Sequence, residues 1–416
     1  MKASATHIKR RLAGAVFAIL SLATANSSFA VTDINQSYLK KDSSITLDSL
    51  HETTEIAETV WADLSTRFVQ LYEQANYQAA YDVAYRAHQI AEQNFGTNNI
   101  STADSLLKLG IVSQNLGEVD AAEDYMLSSL AILGDQLSPD HPDLAVVLTN
   151  LGNIYFESGR LKKSEQFHRK ALVIRKNAFG LSDPSIAQST YNLAVLYEHD
   201  HEYGKASRFY SQAISLWTQT LGPDHPYVGT ALSNLTNTYT AQLKYAEAAV
   251  IQHRTVAYNK SVFGTKHQEV ASSLIDLGAL YLEQGQFHPA ANAYEEALNI
   301  AEHVLSSSDP QLAVLMYTLA NAYHVQARVV MPDDTSAIAN TATTSEIAAT
   351  DGEHKTDSLF AQALPLYEKA AKILDTEQNK NQPVLKIVLS ELVLLYKEIG
   401  DMDKANATES RLSLSH

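Results

Sequence analysis

The chain repeats itself every 42 residues. On that grid Leu109, Leu151, Leu193, Leu235, Leu277 and Leu319 fall in one column, and Tyr155, Tyr197, Tyr239, Tyr281 and Tyr323 in a second. A third column, at the next turn, holds Val119, Leu161, Tyr203, Tyr245 and Phe287. Three apolar columns in one register define a repeat architecture, in which each unit buries its apolar side only against its neighbours.

Within a period, apolar residues recur at spacings of three and four, the signature of amphipathic helix, and two helices fit between the punctuating residues. In the block from His141 the spacing predicts a first helix over 142–158, with Leu148, Leu151 and Tyr155 on one stripe. A second helix follows over 162–178, with Phe167, Ala171 and Ile174 inward. Gly159 separates the two and Phe179-Gly180 closes the block, as Phe95-Gly96, Leu221-Gly222 and Phe263-Gly264 close others. Glycine takes the left-handed conformation that stops a helix. Pro184, Pro226 and Pro310 suit first helical positions, with Asp183, His225 and Asp309 as caps. Gly152, Gly278, Ala171, Ala213 and Ala297 allow close helix approach.

After Tyr323 the pattern breaks. Residues 331–358 are rich in Ser, Thr, Ala and Asp without periodicity, and read as a long exposed loop. The grid then resumes with an added offset of 31: Tyr294-Glu295-Glu296-Ala297 matches Tyr367-Glu368-Lys369-Ala370, and Pro310 and Tyr323 match Pro383 and Tyr396. The insertion therefore lies between the two helices of one repeat. The predicted organisation is a signal peptide over 1–30, a loose leader over 31–54 and a helical array over 55–414, with seven pairs and a partial eighth from Pro383.

In LTNLGNIYFESGRLKKSEQFHRKALVI, residues 148–174, and STYNLAVLYEHDHEYGKASRFYSQAISL, residues 189–216, the chain resembles tetratricopeptide repeats of the 42-residue kind found in kinesin light chains. The resemblance covers most of the mature chain. It implies an all-α, right-handed solenoid of antiparallel helix pairs whose inner groove holds segments of other proteins. The helix-turn glycine is present as Gly117, Gly159, Gly285 and Gly400 but replaced by His201 and Leu243, where differently shaped turns are expected. Fold alone assigns no single molecular function.

If Leu148, Leu151 and Tyr155 are core, the other face of the first helix carries positions 146, 150, 153 and 157. On the grid, the second of these columns reads Lys108, Asn150, Asn192, Asn234, Asp276 and Thr318, and the third Ile111, Asn153, Val195, Asn237, Ala279 and Asn321. Gln188 belongs to the first column and His199 to the fourth. Asparagine both donates and accepts, so a ladder of amides could pair with the backbone of an extended ligand whatever its sequence. The resemblance places the same expectation on Asn150, Asn192 and Asn234. The competing reading is that these amides bond within or between helices and maintain curvature. The candidate peptide-binding residues are Lys108, Asn150, Asn153, Gln188, Asn192, His199, Asn234, Asn237 and Asn321.

The first thirty residues carry Lys2, Lys9, Arg10 and Arg11, an apolar run from Leu12 to Ala25, and small residues at Ser28 and Ala30. This is the pattern of a secretory signal peptide, with an apolar run too short to span a bilayer. The expectation is an exported protein, periplasmic in a Gram-negative bacterium, with no integral membrane span in the mature chain. There is no cysteine, so packing must supply stability even where disulfides are permitted. Removing the leader's four bases leaves 27 Lys and Arg against 47 Asp and Glu. That balance disfavours nucleic acid and anionic membranes as partners and favours a basic peptide or protein.

No HExxH, GxSxG, phosphate-cradling glycine loop or dinucleotide fingerprint occurs. His199-Asp200-His201-Glu202 is the tightest group of metal-ligand types, but it lies at a helix-to-helix turn without a thiolate. His141, His225 and His267 are a period or more apart and read as helix caps. The chain therefore reads as no enzyme, with no metal and no cofactor. It reads as an interaction module that binds an extended peptide or protein segment in a concave groove. The alternative is an assembly or secretion component that docks through its convex surface or its terminal repeat.

Overall fold

The computed structural model describes residues 49–330, 345–376 and 383–414, so the signal peptide expected over 1–30 and most of the leader over 31–54 lie outside the described residues. All regular structure among the described residues is α-helical, and it falls into two compact units that meet in sequence between Ala231 and Leu232. The N-terminal unit holds α1 (Ser49–Glu73), α2 (Tyr77–Phe95), α3 (Ile100–Asn115), α4 (Val119–Gln136), α5 (Pro142–Glu157), α6 (Leu161–Phe179), α7 (Pro184–His199), α8 (Tyr203–Thr220) and the start of α9 (Pro226–Ala241). The C-terminal unit holds the rest of α9, α10 (Tyr245–Phe263), α11 (Gln268–Glu283), α12 (Phe287–Val304), α13 (Pro310–Val330), α14 (Ser345–Leu374), α15 (Pro383–Glu398) and α16 (Met402–Leu414). Within each unit, antiparallel helix pairs stack as an all-α solenoid.

The helix ends follow from the sequence punctuation. His141 Nδ1 accepts from the backbone N–H of Asp143 at 3.3 Å, and His267 Nδ1 from that of Glu269 at 3.2 Å. His225 does the same for Tyr227, at 3.3 Å. The carboxylates of Asp183 and Asp309 cap α7 and α13 at 2.8 Å. At the turn inside each pair, Gly117, Gly159, Gly285 and Gly400 have φ of 72–82°. His201 and Leu243 take the same left-handed conformation, with φ of 58° and 59°. The expected difference in turn shape is therefore absent. The reason is the backbone pairing: Arg160 N donates to Tyr155 O at 2.8 Å, Glu202 N to Tyr197 O at 2.8 Å, and Lys244 N to Tyr239 O at 3.0 Å. These bonds impose the turn, and His201 and Leu243 bear its strain.

Three pairs close on a glycine of their first helix. A Cβ on Gly110, Gly152 or Gly278 would lie only 2.8, 2.6 and 2.6 Å from Met126, His168 and Tyr294, which occupy one column of the second helices. His168 is fully packed there, and desolvation, with Arg175 nearby, pushes its imidazole down to about 3. It is a neutral core residue. Its contribution to stability, complete above the unfolded value of 6.5, is lost progressively as pH falls toward about 3.

Successive pairs are tied by the tyrosine column. Tyr155 donates its hydroxyl to Glu123 at 2.7 Å and Tyr197 to Glu165 at 2.5 Å, in each case on the second helix of the preceding pair. In the C-terminal unit Tyr323 donates to Glu295, and Tyr396 to Glu368 at 2.7 Å. A cation covers several of the rings: Arg160 lies 4.5 Å from Tyr155, Lys205 4.9 Å from Tyr197 and Lys404 5.3 Å from Tyr396. The tyrosines are core rings with polar tips. Trp217 is also packing, between Tyr191 at 5.4 Å and Tyr227 at 5.1 Å.

Of the loop expected over 331–358, residues 331–344 lie outside the described residues and the remainder is helix, because α14 runs from Ser345 to Leu374. From Thr356 onward α14 is packed, with Leu359, Phe360, Ala363 and Tyr367 buried. Extending a helix outward from a packed turn avoids the cost of nucleation.

Leu243 is 71 % exposed and has positive φ. Glycine there would give up little burial and release a left-handed strain of about 1–2 kcal/mol, partly offset by glycine's freedom in the unfolded chain. Leu243→Gly should raise the urea midpoint, by an amount equivalent to at most about 1 kcal/mol. A lowered midpoint would show that the strain is not there.

Candidate functional site

The first helices α3, α5 and α7 carry the predicted columns in the N-terminal unit, and side-chain rungs tie these helices together. Asn115 Nδ2 donates to the Tyr72 hydroxyl at 3.0 Å, Gln114 Nε2 donates to Glu157 Oε1 at 2.8 Å, and His199 sits edge-on to Phe156 at 5.0 Å. In the C-terminal unit the same relation recurs between α13 and α15, where His324 Nε2 and Glu398 Oε2 are 2.6 Å apart. Three of these rungs join residues 43 apart, one more than the period. That near-repeat separation is the signal that could have revealed them in the sequence, whereas a column read alone cannot.

Several predicted site residues have internal partners. Lys108 is ion-paired to Asp104 on its own helix, reaches Ser65 at 3.4 Å and lies 5.6 Å from the Trp61 ring, whose Nε1 donates to Ser105. Asn150 Nδ2 donates back to Val146 O at 3.0 Å, and Gln188 Nε2 donates to Asn192 Oδ1 at 2.9 Å. His199 is exposed and held by its ring contact with Phe156. Asn234, half-buried, and Asn237, exposed, belong to α9 in the C-terminal unit, as Asn321 does to α13. Gln188 and Asn192 are thus hydrogen-bonded to each other, Asn150 and Asn153 share α5, Asn234 and Asn237 share α9, and Asn321 stands on α13.

Hydrogen-bonding capacity nonetheless remains. The Oδ1 of Asn153 is buried and without a partner, against the rule that buried polar atoms are satisfied. Asn321 is only 5 % exposed, and among the described residues its amide makes no hydrogen bond. Asn150 and Asn192 each use one of several bonding positions.

Two carboxyls on this face are raised above the usual carboxylate range. Asp276 is exposed, yet the protein atoms around it partly desolvate its carboxyl and push it up to about 6. Burial also raises Glu391, partly opposed by the nearby His324 and Arg328. His324 itself is buried, with the Tyr367 hydroxyl 3.4 Å from its Nδ1, and Arg328 Nε is 3.4 Å from Glu398. Asp276 falls in the column of Asn150, Asn192 and Asn234, whereas composition alone does not separate Glu391 from ordinary surface acids. Among the described residues no three His, Cys, Asp or Glu side chains are grouped to hold a metal ion.

The Tetratricopeptide repeat family profile matches residues 106–177, 185–257 and 244–303. Among solved structures the chain is similar to BtubC (BKLC) from P. vanneervenii, with 18 % identity and a TM-score of 0.43 over 62 % of this chain and 93 % of that one. It is similar to the nearly identical TPR-like repeats of a kinesin light chain protein from Podosopora anserina, with 22 % identity and a TM-score of 0.44 over 50 % of this chain and 99 % of that one. A further similarity is to the apo form of RapI, with 15 % identity and a TM-score of 0.44 over 75 % of this chain and 99 % of that one. No curated protein sequence matches the chain.

An unsatisfied buried amide costs about 1–3 kcal/mol, so its replacement by an apolar group of similar size is neutral or stabilising. Asn153→Leu should therefore leave the thermal midpoint unchanged or raised. A structural amide with hidden partners would instead lower it.

Proposed function

We propose, from the match of residues 106–177 and 185–303 to the tetratricopeptide repeat profile, that the chain is an interaction module that holds an extended peptide or protein segment along its first-helix face. Repeats of this family are scaffolds and not catalysts. The observation that carries the proposal is the unused bonding capacity of Asn150, Asn153 and Asn192 on α5 and α7 of the N-terminal unit, which are all buried. An extended segment offers alternating N–H and C=O groups, and amides answer both without regard to side-chain identity.

The partner segment is basic. The chain carries a net charge of -16, and the carboxyls of Asp276 and Glu391, both raised by desolvation, gain a partner when a Lys or Arg side chain approaches. The protein works after export, in the periplasm of a Gram-negative bacterium, a reading that rests on the basic, apolar and small-residue pattern of residues 1–30. No helix among the described residues is long and apolar enough to cross a membrane.

The test is affinity capture from an extract of the native compartment, with the mature chain and an Asn150→Ala, Asn192→Ala, Asn234→Ala triple variant whose helicity is verified by circular dichroism. The folded variant should bind the captured segment at least about tenfold more weakly, the loss expected for a few net hydrogen bonds. Equal capture by wild type and variant would move the site off this face.

Protonation supplies a second test. With its pKa near 6, Asp276 is largely neutral in mild acid and ionised at neutral pH. Affinity for a basic segment should therefore rise between about pH 5 and about pH 7.5, and Asp276→Asn should flatten that rise. An identical pH profile in the variant would remove Asp276 from the binding surface.

A further inference from the structure

The second helices of the N-terminal unit divide charge unevenly. In a chain of net charge -16, α6 carries six Lys and Arg against one Glu, whereas α4 carries four acids and no base. Four of the six α6 cations have a partner: Lys163 stands 4.9 Å from the Tyr155 ring and Lys170 5.8 Å from the Phe167 ring, Arg169 bonds to Glu165 and Tyr197, and Arg175 is buried against Ser189. Lys162, Lys170 and Lys176 remain exposed, with no acid paired to them among the described residues. On α4, Asp120, Asp124 and Asp135 are exposed, and none has a cationic partner among the described residues.

The two stripes match in length and in order. At a rise of 1.5 Å per residue, Asp120 to Asp135 spans about 22 Å and Lys162 to Lys176 about 21 Å. Set antiparallel, α4 and α6 bring Asp120 opposite Lys176, Asp135 opposite Lys162, and Asp124 within a turn of Lys170. Leu127 and Val173, which are 39 % and 55 % exposed, lie within these stripes and supply an apolar seam. A two-fold axis between α4 and α6 creates this antiparallel match twice, α4 on the partner's α6 and α6 on the partner's α4, which is the geometry of an isologous dimer. A protein this acidic repels a second copy everywhere except where a basic stripe meets an acidic one, so these stripes also fix the orientation of approach.

We propose that the second-helix face of the N-terminal unit, α4 with α6, is a self-association surface whose occupant is the same face of a second copy of this chain. This is a different surface from the first-helix face assigned to the peptide.

Sedimentation equilibrium of the mature chain, with circular dichroism as a check on folding, tests it through two charge-reversed variants. The Lys162→Glu, Lys170→Glu, Lys176→Glu variant presents acid on both helices. The Asp120→Lys, Asp124→Lys, Asp135→Lys variant presents base on both. Wild type should dimerise, each variant alone should associate at least about tenfold more weakly, and an equimolar mixture of the two should form a heterodimer, because opposite stripes again face each other. A monomeric wild type, homodimers unaffected by either reversal, or a mixture that fails to associate while both variants are folded would each overturn the proposal. Should the wild type stay monomeric while α6 binds polyglutamate, the basic stripe serves a different acidic polypeptide and the dimer is excluded.

Discussion

The contact on which the helical pairs depend is the close approach of a first helix to the large side chain opposite it. At Gly110, Gly152 and Gly278 there is no room for a Cβ, because Met126, His168 and Tyr294 fill that space. The position fixes volume and leaves chemistry free: a thioether, an imidazole and a phenol all fit. Polar versions of this residue then depend on what lies at their tips. Tyr210 finds Glu198 at 2.5 Å and Tyr367 faces His324 at 3.4 Å. Tyr294 has Leu282 in the equivalent place, and its hydroxyl is buried without a partner. His168 accepts burial only as the neutral imidazole.

Pair-to-pair cohesion uses two further sets of contacts. Tyrosine hydroxyls reach back to glutamates on the preceding second helix, while rungs such as Gln114–Glu157 and His324–Glu398 join first helix to first helix. One set joins a first helix to the preceding second helix and the other joins first helix to first helix, so each pair is held through its immediate neighbours. Stability then propagates locally, in the manner of repeat arrays. A defect such as the strained turn at Leu243 stays confined to its own pair.

The period made the helices, their caps and their core stripes legible, because apolar burial and backbone termination depend on residue type at fixed spacing. The histidines a period apart could be assigned to caps for the same reason. Partner choice at polar positions was less legible. Asn150 turns back to Val146 O, a decision of rotamer that no column encodes, and Lys108 is consumed by Asp104 and Trp61 although its column suggested a groove cation. The tyrosines were readable as core, but their glutamate partners were not, since these lie at separations of 28 or 32 and no single offset from the grid finds both. The helical part of 345–358 was hidden because its composition lacks an apolar stripe, and its helix continues one that packs further along.

The two faces of the array treat polarity in opposite ways, and the difference has an energetic direction. On the second helices, unpaired charges such as Lys162 and Asp120 stay in water and cost the fold almost nothing. On the first helices, the Asn153 carbonyl is withdrawn from water with its bonding incomplete, and it imposes a desolvation penalty that an apolar residue would avoid. Packing alone gives no reason to keep it, because the next repeat places Val195 in the same column. A bound backbone would satisfy such a group in place of water. On that reading the instability of the free array is recovered on binding, and affinity comes from amides prepared in advance by the helices that hold them.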